Sequence, residues 1–285
     1  AQPFLLNAWM KVPANWFAVE ERATAVGLVT LSSLLGTALG MVLTPALINQ
    51  FSVSQVQLFY GGIALLSAVL FIALAREKPV TPPGPPGSEV RALMLDGLKH
   101  ALTVKSFWFY LFISFIGLGI FNGVTTWVEL IIRPRGFTPT DAGTLGALLL
   151  AGGVIGAVAI PPISDKKRRR KPFIIIGLLL TIPGLLGLTF AAHSLLLFVS
   201  AFALGFFLVS INPIGMQYAA EVTNPTPEGT SNGLIQLFGQ ASVVFVYIMQ
   251  ALQAPNGSFT PALMLLIGLV VISALLATQL EEKIA

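Results

Sequence analysis

The sequence predicts an all-α polytopic membrane protein, and three observations carry the prediction. Apolar stretches of about 20 residues recur along the 285-residue chain, each long enough to cross about 30 Å of hydrocarbon at 1.5 Å per residue. Only 10% of residues are charged against 55% hydrophobic, where a soluble domain carries about a quarter charged. The basic residues, third, sit in the loops between the apolar runs and mostly on one side. A soluble helical core is the remote alternative, because runs so long and so poor in charge would leave large apolar surfaces in water.

Eight spans are expected, at about residues 24–47, 56–75, 107–131, 142–162, 173–191, 195–217, 229–251 and 260–279. In lipid every backbone polar group needs an internal partner, and runs of this length meet that need as helices. Loops on one side, with the C-terminal tail, hold Lys11, Arg22, Arg76, Lys78, Arg91, Lys99, Lys105, the run from Lys166 to Lys171, and Lys283; only Arg133 and Arg135 lie opposite. The positive-inside rule makes the richer side, and the C-terminus, cytoplasmic.

Residues 76–106 form one long connection that opens with a Pro-rich stretch from Pro79 to Gly87. Within it Val90, Leu93, Met94, Leu98, Ala101 and Leu102 recur at helical spacing. That pattern fits a short in-plane helix, lying at the headgroups or packed on the bundle as a linker. The expected organisation is therefore a remainder of an N-terminal bundle at 1–75, the connector at 76–106, and a six-helix bundle at 107–285. Only two spans and the helix-like residues 1–12 precede the connector, while six follow it. Secondary transporters are commonly built from two equivalent bundles, so the expectation is a chain lacking about three and a half upstream helices and inactive by itself.

Several classes are unsupported. There is no cysteine, so no disulfide framework or Cys-ligated metal site exists. No carboxylate pair, nucleophile triad or metal cluster appears, which argues against an enzyme, and no cofactor is expected. The net charge of +4 reflects loop topology rather than a nucleic-acid surface. Glu129 falls near the outer end of the third span and Glu221 near the inner end of the sixth. His193 lies in an outer turn and His100 in the connector. A proton relay at depth therefore has no candidate here: a coupling group lies upstream or the protein is a uniporter.

Polar groups at membrane depth need a reason. Counting along the helices, Gln240 lies about 17 Å into the seventh span and Asn122 about 22 Å into the third, both near the midplane. Gln236 and Gln240, four apart, share a face. With Trp127 they are the candidates for lining a solute cavity; interhelical hydrogen bonding is the alternative. Gly36 with Gly40, Gly119 with Gly123, Gly152 with Gly156, and Gly229 with Gly233 place Cβ-free stripes on single helix faces, which permit close packing or sliding contacts. At the start of the seventh span, Thr226, Pro227, Glu228 and Gly229 read as a helix opening with Thr226 as N-cap.

Between the fourth and fifth spans stands the run Pro161, Pro162, Ile163, Ser164, Asp165, Lys166, Lys167, Arg168, Arg169, Arg170, Lys171, Pro172. It resembles the loop signature of the major facilitator superfamily: Asp165, Lys166, Arg169 and Arg170 fit, while Pro161 and Arg168 stand where glycines are usual. The whole chain further resembles the branch that contains the feline leukaemia virus subgroup C receptor-related transporters and their prokaryotic relatives. The carrying residues are Pro3 to Asn7, Trp16 and Phe17, Glu21 to Ala25, Leu35 to Gly40, and the most specific block, Glu221 to Gly233.

The resemblance implies a major facilitator fold running from the end of the fourth helix through the twelfth, and alternating-access transport of a small organic solute across the cytoplasmic membrane. The implied partners are that solute and membrane lipid, without nucleic acid, and the complete protein is expected to be a monomer. A non-transporting receptor or scaffold on the same fold is the alternative. The resemblance also implies a gate in which Asp165 lies near the positive N-terminal end of the seventh span, with Lys166, Arg169, Arg170, Glu221, Glu228 and Arg22 as further gating candidates. In the family a Gln at the position of Gln240 faces the central cavity. Animal members carry a Tyr where this chain has Asn122, so the aromatic cage for a quaternary amine is in question.

Overall fold

The computed structural model describes residues 16, 22–76 and 94–282. The helix-like residues 1–12, the Pro-rich stretch and Lys283 lie outside the described residues. Contacts divide the chain into two compact units, Ala1–Val90 and Arg91–Ala285, so the division falls inside the connector.

In the first unit, α1 (Arg22–Ile48) and α2 (Val53–Leu74) form a helical pair. Ser52 starts α2 with a capping box: its hydroxyl accepts from the Gln55 N–H while the Gln55 side chain accepts from the Ser52 N–H. The Thr44 and Tyr60 hydroxyls, 2.8 Å apart, tie the pair together. Val56 is the buried apolar residue of α2, whereas Leu58, Phe71, Ile72 and Leu74 are all more than two-thirds exposed. Such an apolar exterior is tolerable against lipid or another bundle and not against water.

The second unit holds α3 (Met94–Thr103), α4 (Lys105–Ile132), α5 (Pro139–Lys167), α6 (Lys171–Phe190), α7 (Ser194–Val222), α8 (Glu228–Ala241), α9 (Val244–Ala251) and α10 (Thr260–Ala277). Among the described residues of the two units, seven helical segments are long and apolar enough to cross a membrane, α8 and α9 together counting as one; α1 is apolar over Leu35–Ile48. The protein is thus a multi-pass helical membrane protein. Thr138 caps α5 through a capping box with Asp141. On the far side of the bundle Arg135 donates to the Ala191 carbonyl at the end of α6, 3.0 Å away. A cation there satisfies a carbonyl that the helix leaves open and complements the negative end of its dipole.

The core runs through Phe107, Tyr110, Ile113, Ile120, Leu145, Leu149, Leu185, Leu204 and Leu266. Helix α7 packs against both α5 and α6, and α10 against α4 and α6. The α5–α7 contact is backbone on backbone: a Cβ added at Gly152 would lie 2.2 Å from the Phe202 carbonyl oxygen, and one at Gly156 would lie 2.1 Å from that of Phe206. Two of the four glycine pairs, this one and Gly119 with Gly123, therefore pack closely. Gly36, Gly40, Gly229 and Gly233 have nothing within 4 Å of an added Cβ.

The expected end of the fourth span and the continuity of the seventh need correction. The fourth span does not end at residue 162: α5 continues through Pro161 and Pro162 to Lys167, because hydropathy marks where the membrane ends and not where the helix does. Arg168, which stands where the loop signature usually has glycine, adopts the left-handed conformation at φ 50° and closes α5. The seventh span is not one helix but is broken between Ala241 and Val244 into α8 and α9. Here Ser242 is a residue that competes with helix bonding, and Val243, Val244 and Val246 are stiff β-branched residues.

The connector helix is amphipathic and packs on the bundle, in keeping with the linker reading. Ala101 is fully buried, and the Thr226 hydroxyl donates to the Gly97 carbonyl, 3.1 Å away. Consequently Thr226 is not the N-cap of α8. Pro227 occupies that position without a side-chain cap, because the Thr226 hydroxyl is committed to α3.

Candidate functional site

Two groups of the expected residues lie in the second unit, one at the level of the helix break and one at the end that carries Lys166 to Lys171. At the break, the Asn122 amide of α4 donates to the Ser242 hydroxyl at 3.2 Å, and Ser242 is completely buried. One turn further along α4, the Trp127 indole N–H donates to the Val246 carbonyl at 2.9 Å. Its ring stacks on Phe259 with centroids 5.6 Å apart. Both side chains are engaged with the broken helix. Gln236 and Gln240, by contrast, are half-buried, and neither side chain has a hydrogen-bond partner among the described residues. They are two free amides, one helical turn apart, in the middle of an apolar segment. The same helix carries Asn232, whose buried amide oxygen is also without a partner among the described residues.

At the basic end the central group is Arg170, the residue preceding α6. Its Nε and Nη2 donate to one oxygen of Glu221 on α7, at 3.2 and 3.1 Å. Its Nη1 donates to the Ser164 hydroxyl at 3.1 Å and to Asp165 at the end of α5. Gln217 adds a third donor to the same Glu221 oxygen at 3.1 Å. The Arg170 backbone N–H, open because it begins a helix, donates to Glu282 of the C-terminal tail at 2.8 Å. Partial burial works against the Arg170 charge, but the bonds to Glu221 and Asp165 outweigh it and hold its pKa above the ordinary arginine value. One guanidinium thus joins the ends of α5, α6 and α7.

Of the expected gating residues, the structure brings together Asp165, Arg170 and Glu221. Lys166, Arg169 and Glu228 are exposed and take no part in this cluster through their side chains. The Arg22 side chain lies outside what is described. Asp165 pairs with Arg170 rather than with the start of α8; that start is held instead by the Thr223 and Ser231 hydroxyls, 2.6 Å apart, and by Thr226 on Gly97. Sequence reasoning missed Ser242, Gln217 and Glu282. Ser242 was hidden inside an apolar run, and Glu282 among ordinary tail charges. A shallow recess of about 580 Å³ lined by Pro162, Ile163, Lys166 and Lys167 opens at the basic end of α5. Among the described residues no cluster of His, Cys, Asp and Glu could hold a metal ion.

Comparison with known proteins agrees with this architecture. The family model described as Major Facilitator Superfamily matches residues 1–170 and 130–283. The chain is 28% identical over 296 residues to a choline/ethanolamine transporter, FLVCR2, of Rattus norvegicus, covering 97% of this chain and 54% of that protein. To solute carrier family 49 member A3 of Xenopus tropicalis it is 27% identical over 272 residues, covering 92% of this chain and 56% of the relative. An uncharacterized protein of Archaeoglobus fulgidus is 32% identical over 231 residues, covering 79% of this chain and 99% of the relative. The chain spans about half the length of the curated animal relatives it matches.

Proposed function

This chain belongs to the Major Facilitator Superfamily, a family of membrane transporters, and we propose that the whole protein carries a small amine-bearing organic solute across the cytoplasmic membrane by alternating access. The observation that carries the reading is the pair Gln236 and Gln240: two amides without partners in an apolar span, on a helix broken within a few residues of them. Discontinuous helices near the bilayer midplane are where secondary transporters bind their solutes, and an unsatisfied polar group in lipid is costly without a ligand or cavity to solvate it.

The chemistry favours a primary ammonium over a quaternary one. Amide oxygens accept hydrogen bonds from N–H groups, which ethanolamine has and choline lacks. A trimethylammonium group instead needs open aromatic faces. Trp127 has its N–H on Val246 and its ring on Phe259, and Asn122 stands where the resembling animal proteins carry Tyr. With choline and ethanolamine named for the relatives, ethanolamine is the better fit to this half of the site.

The Arg170 cluster is the inner gate in this reading. It gathers α5, α6 and α7 on the side that the basic residues mark as cytoplasmic, and loosening it favours opening toward that side. Cysteine labelling of the whole protein tests access and orientation together, after native cysteines elsewhere are removed. An impermeant maleimide applied to right-side-out vesicles labels Asn256→Cys and not Lys167→Cys; inside-out vesicles reverse the pattern. Gln240→Cys is labelled from both sides. Labelling of Gln240→Cys from one side alone, in protein that is otherwise intact, contradicts alternating access.

A further inference from the structure

Helix α5 has one side packed and one side open. Gly152 and Gly156 press it onto the backbone of α7. Ile155, Ala159, Pro162 and Lys166 recur at spacings of four, three and four, with Val158 beside them, and so share another face. All five are exposed, and Ile155, Val158 and Ile163 are each at least 45% exposed. At its end this apolar stripe runs into the recess walled by Pro162, Ile163, Lys166 and Lys167.

At 29 residues, α5 is about 43 Å long at 1.5 Å per residue, against about 30 Å of hydrocarbon. Its basic last turn therefore stands at the level of the headgroups, while the stripe reaches back among the acyl chains. Charge around the recess is unbalanced. Asp165, Glu221 and Glu282 all bond to Arg170, whereas Lys166 and Lys167 have no ion pair among the described residues. The Lys167 ammonium lies 5.9 Å from the centroid of the Phe173 ring of α6, a contact that places the cation without neutralising it.

We propose that the recess is a binding site for an anionic phospholipid of the inner leaflet, its phosphate between Lys166 and Lys167 and an acyl chain along Pro162, Val158 and Ile155. A soluble anion would balance the lysines and leave the stripe bare; an amphiphile with an anionic head and an apolar tail satisfies both. Basic pockets beside membrane helices on the cytoplasmic side hold anionic headgroups in this way, and the apolar stems of the two lysines suit the boundary between hydrocarbon and water. The assignment uses neither Gln236 nor Gln240 and stands whether or not the proposed solute is right.

The test places a fluorophore on the stripe. The whole protein, freed of other cysteines, carries bimane at Val158→Cys in phosphatidylcholine vesicles of constant ionic strength. Its quenching by spin-labelled phosphatidylglycerol is compared with quenching by spin-labelled phosphatidylcholine. Phosphatidylglycerol is expected to be preferred by about twentyfold, from two lysines worth about fivefold each. No preference is expected at Leu179→Cys, an exposed position on α6 at a similar number of residues from the basic end. Lys166→Gln and Lys167→Gln each lower the preference at Val158 by about fivefold, and Lys166→Arg keeps it. Lys171→Gln removes the same charge from the same end of the bundle, outside the recess, and leaves the preference unchanged.

Equal quenching by the two lipids at Val158 overturns the assignment. Equal effects of Lys171→Gln and Lys166→Gln overturn it as well, because they report general surface charge and not a site. Absence of quenching by either lipid means that protein covers the stripe, and loss of the preference in excess inorganic phosphate means that the lysines hold a soluble anion; each of these also rejects the lipid site.

Discussion

Replacing Gly156 by alanine is expected to destabilise the protein by about 3 kcal/mol or more, at the upper end of what overpacking a well-filled interior costs. The added methyl group would stand 2.1 Å from the Phe206 carbonyl oxygen. That atom belongs to the backbone of α7, so no change of rotamer relieves the clash; the two helices must separate. Gly205, on the other side of the same contact, faces the Leu149 carbonyl oxygen at 1.8 Å and carries the same expectation. Gly229→Ala and Gly233→Ala serve as controls: with nothing within 4 Å, alanine there is expected to be neutral or to stabilise the helix by up to about 1 kcal/mol. Thermal unfolding of the purified protein in detergent checks all four. Equal losses at Gly156 and Gly233 would show that helix α5 does not approach α7 at this register.

The second large effect belongs to Arg170. Its removal as Arg170→Ala leaves Glu221, 19% exposed, without its guanidinium partner, and strips a donor from Ser164 and Asp165 at once. Hydrogen bonds to charged groups contribute about 1.5–3 kcal/mol each, and stranding a fully buried carboxylate costs about 3–5 kcal/mol. Because the cluster is partly open to solvent, with Asp165 62% exposed, the expected loss is nearer 2–3 kcal/mol, or a fall of about 5–10 °C in Tm for a unit of this size. Arg170→Lys is expected to recover little, since one ammonium cannot reproduce three nitrogens aimed at three side chains. Asp165→Asn should cost below about 1 kcal/mol, as exposed pairs do. A melting temperature for Arg170→Ala equal to that of Asp165→Asn would mean that Glu221 is not held by this arginine.

Much of the helical architecture was legible because the bilayer writes it into composition. A run such as 195–217 has to be a helix in lipid, and α7 does cover it. Ends were less legible where helix and membrane part company, as in α5, whose basic last turn leaves the hydrocarbon without leaving the helix. The break at Ser242 was not legible at all. No proline stands there and the apolar run is continuous, so periodicity sees one span; the side chain bonded to Ser242 at the turn, Asn122, lies 120 residues away in sequence. At the site, Gln236 and Gln240 were readable as midplane amides, but a sequence does not say which amide already has a partner. Asn122 proved to have one. Likewise Asp165 and Arg170 were readable from the loop signature, whereas Glu282 was not, because its partner is a backbone N–H that any residue could supply.

Uptake of radiolabelled ethanolamine and choline into proteoliposomes containing the whole protein, with Gln240→Ala beside it, tests the proposed transport most directly. Saturable ethanolamine uptake is expected, with kcat/KM for choline lower by about tenfold or more, the worth of one hydrogen bond to a charged group. Uptake of both is expected to fall sharply in Gln240→Ala protein that keeps its Tm. A folded whole protein that moves neither solute, or moves both equally well with and without Gln240, contradicts it.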